Sequence, residues 1–128
     1  MATDITTNRL ITPSVQALFK GSELYSQDGK KREATCKACI SIGTIRWYML
    51  EGQQQGNDFT FYGIVVGLHE TESGYVAANE MAQISIDASR YGLGTLQVRQ
   101  NTSFVPCMLS DIQDPQLQSF LSRMYDNK

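Results

Sequence analysis

RWYMLEGQQQGNDFTFYGIVVGL, residues 46–68, decides the fold. Two runs rich in aromatic and β-branched residues flank a polar interval of Gln, Gly and Asn, which is the composition of a β-hairpin. With Gly52 to Asn57 as the loop, Glu51 faces Asp58, Met49 faces Thr60, Trp47 faces Tyr62 and Ile45 faces Ile64, because antiparallel partners keep a constant index sum. Side chains alternate along a strand. That register places Ile45, Trp47, Met49, Tyr62, Ile64 and Val66 on one face, and Tyr48, Leu50, Phe59, Phe61 and Val65 on the other. Apolar residues on both faces imply either central strands covered twice or a second face kept open for a ligand.

Upstream, the alternation of Ala34, Cys36, Ala38, Ile40 and Ile42 with Thr35, Lys37, Cys39 and Ser41 predicts a strand leading into the hairpin through a tight turn or a bulge at Gly43. Thr12 before Pro13 reads as an N-cap and first helical position, with Val15, Leu18 and Phe19 as the apolar face and Gly21 as the stop. Residues 1–9 read as a loose polar tail. The segment from Ser22 to Glu33, with Asp28-Gly29 and the run Lys30, Lys31, Arg32, reads as a solvated turn. Downstream, His69 to Ser73 is a polar connection, Gly74 to Ala77 a short strand, and Ala78 or Asn79 the start of a helical turn through Met81 and Ile84. Gly92 and Gly94 mark turns before the alternation at Leu96 and Val98. Asp114-Pro115 repeats the cap-then-proline signal, and Leu117, Phe120, Leu121 and Met124 fall at helical spacing over 115–125. Together these elements predict one α+β domain spanning residues 1–128. An antiparallel sheet forms around the hairpin at about 45–68, with short flanking helices and a C-terminal amphipathic helix.

Eleven basic and thirteen acidic residues leave a net charge of -2, too weak a field to gather nucleic acid. No apolar run approaches the roughly 20 residues of a membrane span. The polar start MATDITTNRL has neither a signal nor an anchor pattern, and three cysteines are an odd count that suits a reducing compartment. The expected location is the cytoplasm. Cys36 and Cys39 have the spacing of a zinc or redox pair, but on a strand an offset of three sends the thiols to opposite faces. Cys107 and His69 do not complete a four-ligand set of familiar spacing. Neither a metal nor a cofactor is expected.

His69 is the only histidine, so Ser-His or Cys-His catalysis would have to use it; it lies in a polar connection with no Gly-x-Ser-x-Gly elbow in the chain. Gly92-Leu93-Gly94 lacks the third glycine of a dinucleotide loop. Glu51 and Asp58, opposed at the hairpin mouth in the register above, form a carboxylate pair of the kind that can do acid/base work, or simply an exposed pair near a loop. The sequence therefore assigns no catalytic residue. It does supply Trp47, Tyr48, Phe61, Tyr62 and Tyr75 as aromatic surface that is either core or a binding patch, with Glu51 and Asp58 rimming one end and preferring a basic partner. The Tyr hydroxyls of such a patch would sit at its wet edge.

The order of the pieces resembles the family catalogued as domain of unknown function 2958, over Leu10 to about Asp111. Leu10-Ile11-Thr12-Pro13, RWYMLEG, DFTFYGIVVGLHE, SGYVAANEM and a Gly-Leu segment before an Arg-containing strand follow that family's order. Its segments read approximately Trp-Tyr-x-x-Glu-Gly, Phe-Phe-Gly-x-Val-x-Gly and Gly-Tyr-Phe-Ser-Leu-x-Glu-Leu. Trp47, Tyr48, Glu51, Gly52, Phe61, Gly63, Val65 or Val66, Gly67, Gly74, Tyr75 and Glu80 match. Tyr62 replaces a second Phe, and Gln97-Val98-Arg99-Gln100 replaces a Glu-Arg-Asp strand, which removes any acidic role carried there. The resemblance implies a small accessory protein of a phage, plasmid or integrated element that acts by binding a macromolecule, a protein rather than nucleic acid or membrane, and by analogy inhibits a host defence protein. The alternative is a small enzyme using Glu51, Asp58 or His69.

Overall fold

The two hairpin strands are the long central members of a five-stranded antiparallel sheet in the computed structural model of the protein, which describes residues 10–125. In chain order the strands are β1 Thr35–Cys36, β2 Ala38–Ile42, β3 Ile45–Gln55, β4 Asp58–Val66, β5 Glu72–Ala77, β6 Ser85–Asp87, β7 Thr95–Gln97, β8 Arg99–Gln100 and β9 Cys107–Met108. The helices are α1 Pro13–Leu18, α2 Ala78–Ala82 and α3 Pro115–Tyr125. The main sheet runs β5-β4-β3-β2-β8, and two antiparallel ribbons, β1 with β9 and β6 with β7, stand apart from it. The fold is α+β, as the patterning implies. The expected tail, residues 1–9, lies outside the described residues.

Both cap-then-proline signals act as expected. The Thr12 hydroxyl accepts the Val15 N–H at 3.1 Å at the start of α1, and an Asp114 oxygen accepts the Gln116 and Leu117 N–H groups at the start of α3. Each satisfies a donor that the first helical turn leaves unpaired. In α3, Leu117, Phe120 and Leu121 are buried, but Met124 is exposed and Tyr125 packs against the core instead. The apolar stripe therefore turns by one residue at its last position.

The hairpin register differs from the expected one. β3 and β4 continue to Gln55↔Asp58, so the connection is the two residues Gly56 and Asn57 rather than six. Gly56 has φ 64°, a left-handed value that glycine supplies without a Cβ clash. Glu51 consequently faces Tyr62, not Asp58. A bulge between Met49 and Glu51 then shifts the pairing by one, to Met49↔Gly63 and Trp47↔Val65. A slip of one residue turns a strand over, so past the bulge β4 presents the opposite faces to β3 from those expected, while Glu51 still shares a face with Tyr62. Ile45, Trp47 and Met49 share a face with Phe59 and Phe61, and Tyr48 and Leu50 share theirs with Tyr62, Ile64 and Val66. Gly63 makes the bulge possible: a Cβ there would collide with the Tyr48 carbonyl oxygen and lie 2.9 Å from Met49 Cα.

The sheet is covered on both sides, which settles the two-faced hydrophobicity of the hairpin. On the first face, Val15 and Phe19 from the α1 segment and Ala78 and Met81 from α2 pack on Ile40, Met49, Phe59 and Phe61, with Ile86 and Leu96 of the β6–β7 ribbon at the margin. On the second face, Leu117, Phe120 and Leu121 of α3, with Leu109, pack on Tyr48, Leu50, Ile64 and Val66. The strand expected over 34–42 is interrupted at Lys37, whose N–H donates to the Met49 carbonyl at 2.8 Å while ladder pairing restarts at Ala38↔Met49. Alternation restarts with it, so Ala34 and Cys36 join the second core while Ala38, Ile40 and Ile42 join the first. Cys36 and Cys39 therefore lie in the same core, contrary to the expectation from an unbroken strand.

Candidate functional site

The bulge that shifts the hairpin register also builds a site. With Leu50 as the extra residue, Glu51 stands opposite Tyr62, and Tyr62 stands opposite Tyr75 on β5. Directly paired residues point to the same face, so Glu51, Tyr62 and Tyr75 form a row across three strands on the second face, with Tyr62 at the margin of the α3 core. The Tyr62 and Tyr75 rings lie 4.9 Å apart, and Tyr25 extends the row with its ring 6.2 Å from that of Tyr75. Exposure rises along the row: Glu51 is 2% exposed, Tyr62 half-buried, Tyr75 54% and Tyr25 63% exposed.

Glu51 is held by the loop that precedes β1. One carboxylate oxygen accepts the Tyr25 N–H at 2.7 Å and the other accepts the Gln27 N–H at 2.9 Å. Buried Gln27 fastens the loop in turn: its side-chain amide donates to the carbonyls of Thr35 (2.8 Å) and Leu50 (2.7 Å), and its side-chain oxygen accepts the Thr35 N–H (2.7 Å). Gly52 N–H donates to the Ser22 carbonyl, and the Gln53 side-chain oxygen accepts the Leu24 N–H. This winding requires φ 73° at Tyr25, a left-handed value that costs a non-glycine residue on the order of 1 kcal/mol. The segment read as a plain solvated turn is thus a structured loop built over a buried carboxylate.

Beside Glu51 lies a cleft of about 230 Å³ lined by Gln27, Leu50, Glu51, Tyr62, Ile64 and Tyr125, with Asp28 and Lys31 also contributing. Tyr125 reaches it from the last turn of α3. Its phenol is pushed above the ordinary tyrosine value by burial first and by the nearby Tyr62 second. Two tyrosine rings, an aliphatic floor, the carboxylates of Glu51 and Asp28 and the Lys31 side chain make a lining suited to a group that is both apolar and polar.

A second polar cluster on the same face is built differently. Asp114 accepts two hydrogen bonds from the Arg46 guanidinium, at 2.8 and 2.9 Å, and one from the Tyr48 hydroxyl at 2.6 Å. Arg46 also donates to the Thr44 carbonyl and to the Gln116 side-chain oxygen. The Arg46 hydrogen bond is the main reason that the Asp114 carboxyl is held down at about 2. Burial, then the hydrogen bond to Asp114, pushes the Tyr48 phenol well above its ordinary value. With its donors and acceptors committed, this cluster ties α3 to β3 and offers nothing to a ligand.

Of the seven residues expected to bind, only Glu51, Tyr62 and Tyr75 come together. Phe61 is fully buried and Trp47 packs against the first core, while the Tyr48 hydroxyl is taken by Asp114. Asp58 does not pair with Glu51: one of its oxygens accepts the Phe59 and Asn79 N–H groups, which anchors the start of α2. Exposed His69 lines a separate open groove of about 560 Å³ with Pro115, Gln116, Ser119 and Arg123. The three residues of the enzymatic alternative thus sit in three different surroundings. Cys36 and Cys39 are free and buried, and Cys107, opposite Cys36 on β9, is free and partly buried. Burial raises all three thiols, Cys39 to about 11, so at neutral pH they are protonated and poor nucleophiles. Among the described residues, no three His, Cys, Asp or Glu side chains group to hold a metal ion.

Tyr25, Gln27 and Tyr125 were missed by sequence reasoning. Their signals, a Tyr and a Gln in a polar stretch and a Tyr one position past a helical stripe, are indistinguishable from surface composition. Comparison with family models, curated proteins and solved structures finds no match to this chain. No helix among the described residues is long and apolar enough to cross a membrane.

Proposed function

We propose that the protein is a binding module whose target is another protein, engaged through the Tyr25–Tyr75–Tyr62 row and the Glu51 cleft beside it. The single observation that carries this reading is the row itself: three tyrosine rings in succession, two of them more than half exposed, ending at a carboxylate that is 2% exposed. Tyr combines a large apolar surface with a hydroxyl and few rotatable bonds, which is why it concentrates binding energy in interfaces. The enzymatic alternative has less support, because Glu51, Asp58 and His69 lie in separate surroundings and no nucleophile, base and orienting group meet at one place on the described surface. The modest negative charge favours a basic protein face over nucleic acid.

The resemblance to the domain of unknown function 2958 family extends this reading to biology. It supports an accessory protein of a phage, plasmid or integrated element, acting in the cytoplasm and inhibiting a host defence protein. The test is affinity capture from host cells with the immobilised full chain, beside a Tyr25→Ala, Tyr75→Ala double variant and a Tyr91→Ala control, Tyr91 being an exposed ring in the connection between β6 and β7. A partner held by the parent and the control but not by the double variant supports the reading. Equal capture by all three would falsify it.

A further inference from the structure

The cleft beside Glu51 has the lining that a guanidinium group needs, and we propose that it receives an arginine side chain presented by the protein partner. This rests on the binding reading above and names its anchor. Three features of the cleft converge on that chemistry. A carboxylate offers about four lone-pair sites, and the Tyr25 and Gln27 N–H groups occupy one on each oxygen of Glu51. The carboxylate is therefore held in place by neutral donors and, as a lining residue of the cleft, has acceptor capacity beyond those two bonds. Tyr62 and Tyr125 supply rings on which a planar cation stacks, while Leu50 and Ile64 supply apolar surface for the methylene stem.

Size narrows the occupant further. The cleft holds about 230 Å³, below the roughly 300–1,000 Å³ of typical cofactor and drug-sized sites, and suited to one long side chain rather than a nucleotide. Lys31 lines the same cleft in a left-handed conformation, φ 55°. A partner's cation therefore enters beside a like charge of the chain itself. A guanidinium suits that setting better than an ammonium because it is more weakly hydrated, forks onto a carboxylate and stacks on an aromatic face, none of which a compact ammonium does as well.

The experiment is an NMR titration of the isotope-labelled full chain with the blocked tripeptide acetyl-Ala-Arg-Ala-amide, beside its citrulline and lysine counterparts. Citrulline keeps the shape of arginine and removes the charge. The arginine peptide should give saturating shifts centred on Gln27, Glu51 and Tyr62, with citrulline about tenfold weaker and lysine about fivefold weaker. Tyr125→Ala, which leaves the hydrogen bonds of Glu51 in place, should weaken the arginine peptide about fivefold, and Lys31→Gln should tighten it about twofold. Absence of saturating shifts, shifts centred elsewhere, or equal binding of the citrulline or lysine peptide overturns the arginine assignment. Tyr75 stands beside the cleft rather than in it, so Tyr75→Ala separates the two ideas. If the peptide fails to bind while Tyr75→Ala still abolishes partner capture, the arginine anchor falls and the binding face stands. If the peptide binds while capture is indifferent to both Tyr75→Ala and Tyr125→Ala, the binding face falls and the partner-borne arginine with it.

Discussion

Asp114 and Glu51 are two buried carboxylates on the same face of one sheet, and they are stabilised by opposite means. Asp114 meets a full countercharge, the Arg46 guanidinium, plus a phenol and the first N–H groups of α3. Glu51 meets two backbone N–H groups of a loop, neither of which carries a formal charge. A carboxylate closed by a guanidinium is a strut. One cradled by backbone donors, with a cleft and tyrosines at its side, has no countercharge of its own among those hydrogen bonds. The proposed binding role of Glu51 rests on that difference.

The largest expected effect tests the strut. Asp114→Ala strands Arg46 and the Tyr48 hydroxyl and removes the α3 cap at once, and should cost about 3–4 kcal/mol in urea unfolding. A loss below about 1 kcal/mol would put Asp114 in the class of surface ion pairs and erase the contrast. Next, Glu51→Gln replaces one acceptor with an amide that points N–H at N–H. It should cost about 2 kcal/mol, and hydrogen exchange should speed up first at Tyr25 and Gln27, with α3 still protected.

A smaller effect concerns pH. The folded Asp114 carboxyl sits at about 2, below its unfolded value near 4, so the unfolded chain takes up the proton first. Its contribution is complete above about pH 4 and is lost as the pH falls towards about 2. With allowance for solvent around Arg46, this should amount to about 1–2 kcal/mol. Urea midpoints measured across that window should fall in the parent and flatten in Asp114→Asn; parallel curves would mean that the pair is not the cause. Smallest of all, Tyr75→Ala should leave the urea midpoint unchanged while weakening the captured partner about tenfold. A variant that unfolds more easily but binds equally well would make Tyr75 a structural residue and reverse the comparison.

Much of the fold was legible because local patterns carry it. Thr12-Pro13 and Asp114-Pro115 mark helix starts through backbone chemistry that needs no tertiary partner. The aromatic and β-branched runs on either side of the Gln/Gly/Asn interval mark the two hairpin strands, and the double-sided hydrophobicity of residues 45–66 narrowed the sheet to one covered twice or one with a face open to a ligand, a choice that only the two cores made. The register was not legible. A six-residue polar interval and a two-residue turn flanked by polar strand ends have the same composition, and Gln53 to Gln55 belong to a strand because β4 pairs with them. Nor did the period-2 pattern at 34–42 reveal the break at Lys37, since a bulge changes direction without changing composition.

The sequence by itself determined the α+β class, the central hairpin, the two capped helices and the presence of Glu51, Tyr62 and Tyr75 among residues able to bind. Only the tertiary structure decided which of the proposed residues meet. The bulge at Leu50, permitted by the absence of a Cβ at Gly63, aligns Glu51 with Tyr62 and so with Tyr75. The loop through Tyr25 and Gln27 then closes on the carboxylate from 26 and 24 residues away in sequence. Those contacts join segments with no local reason to meet. They form because a carboxylate carried inward by a bulged strand must find hydrogen-bond donors, and this loop turns its backbone N–H groups towards it.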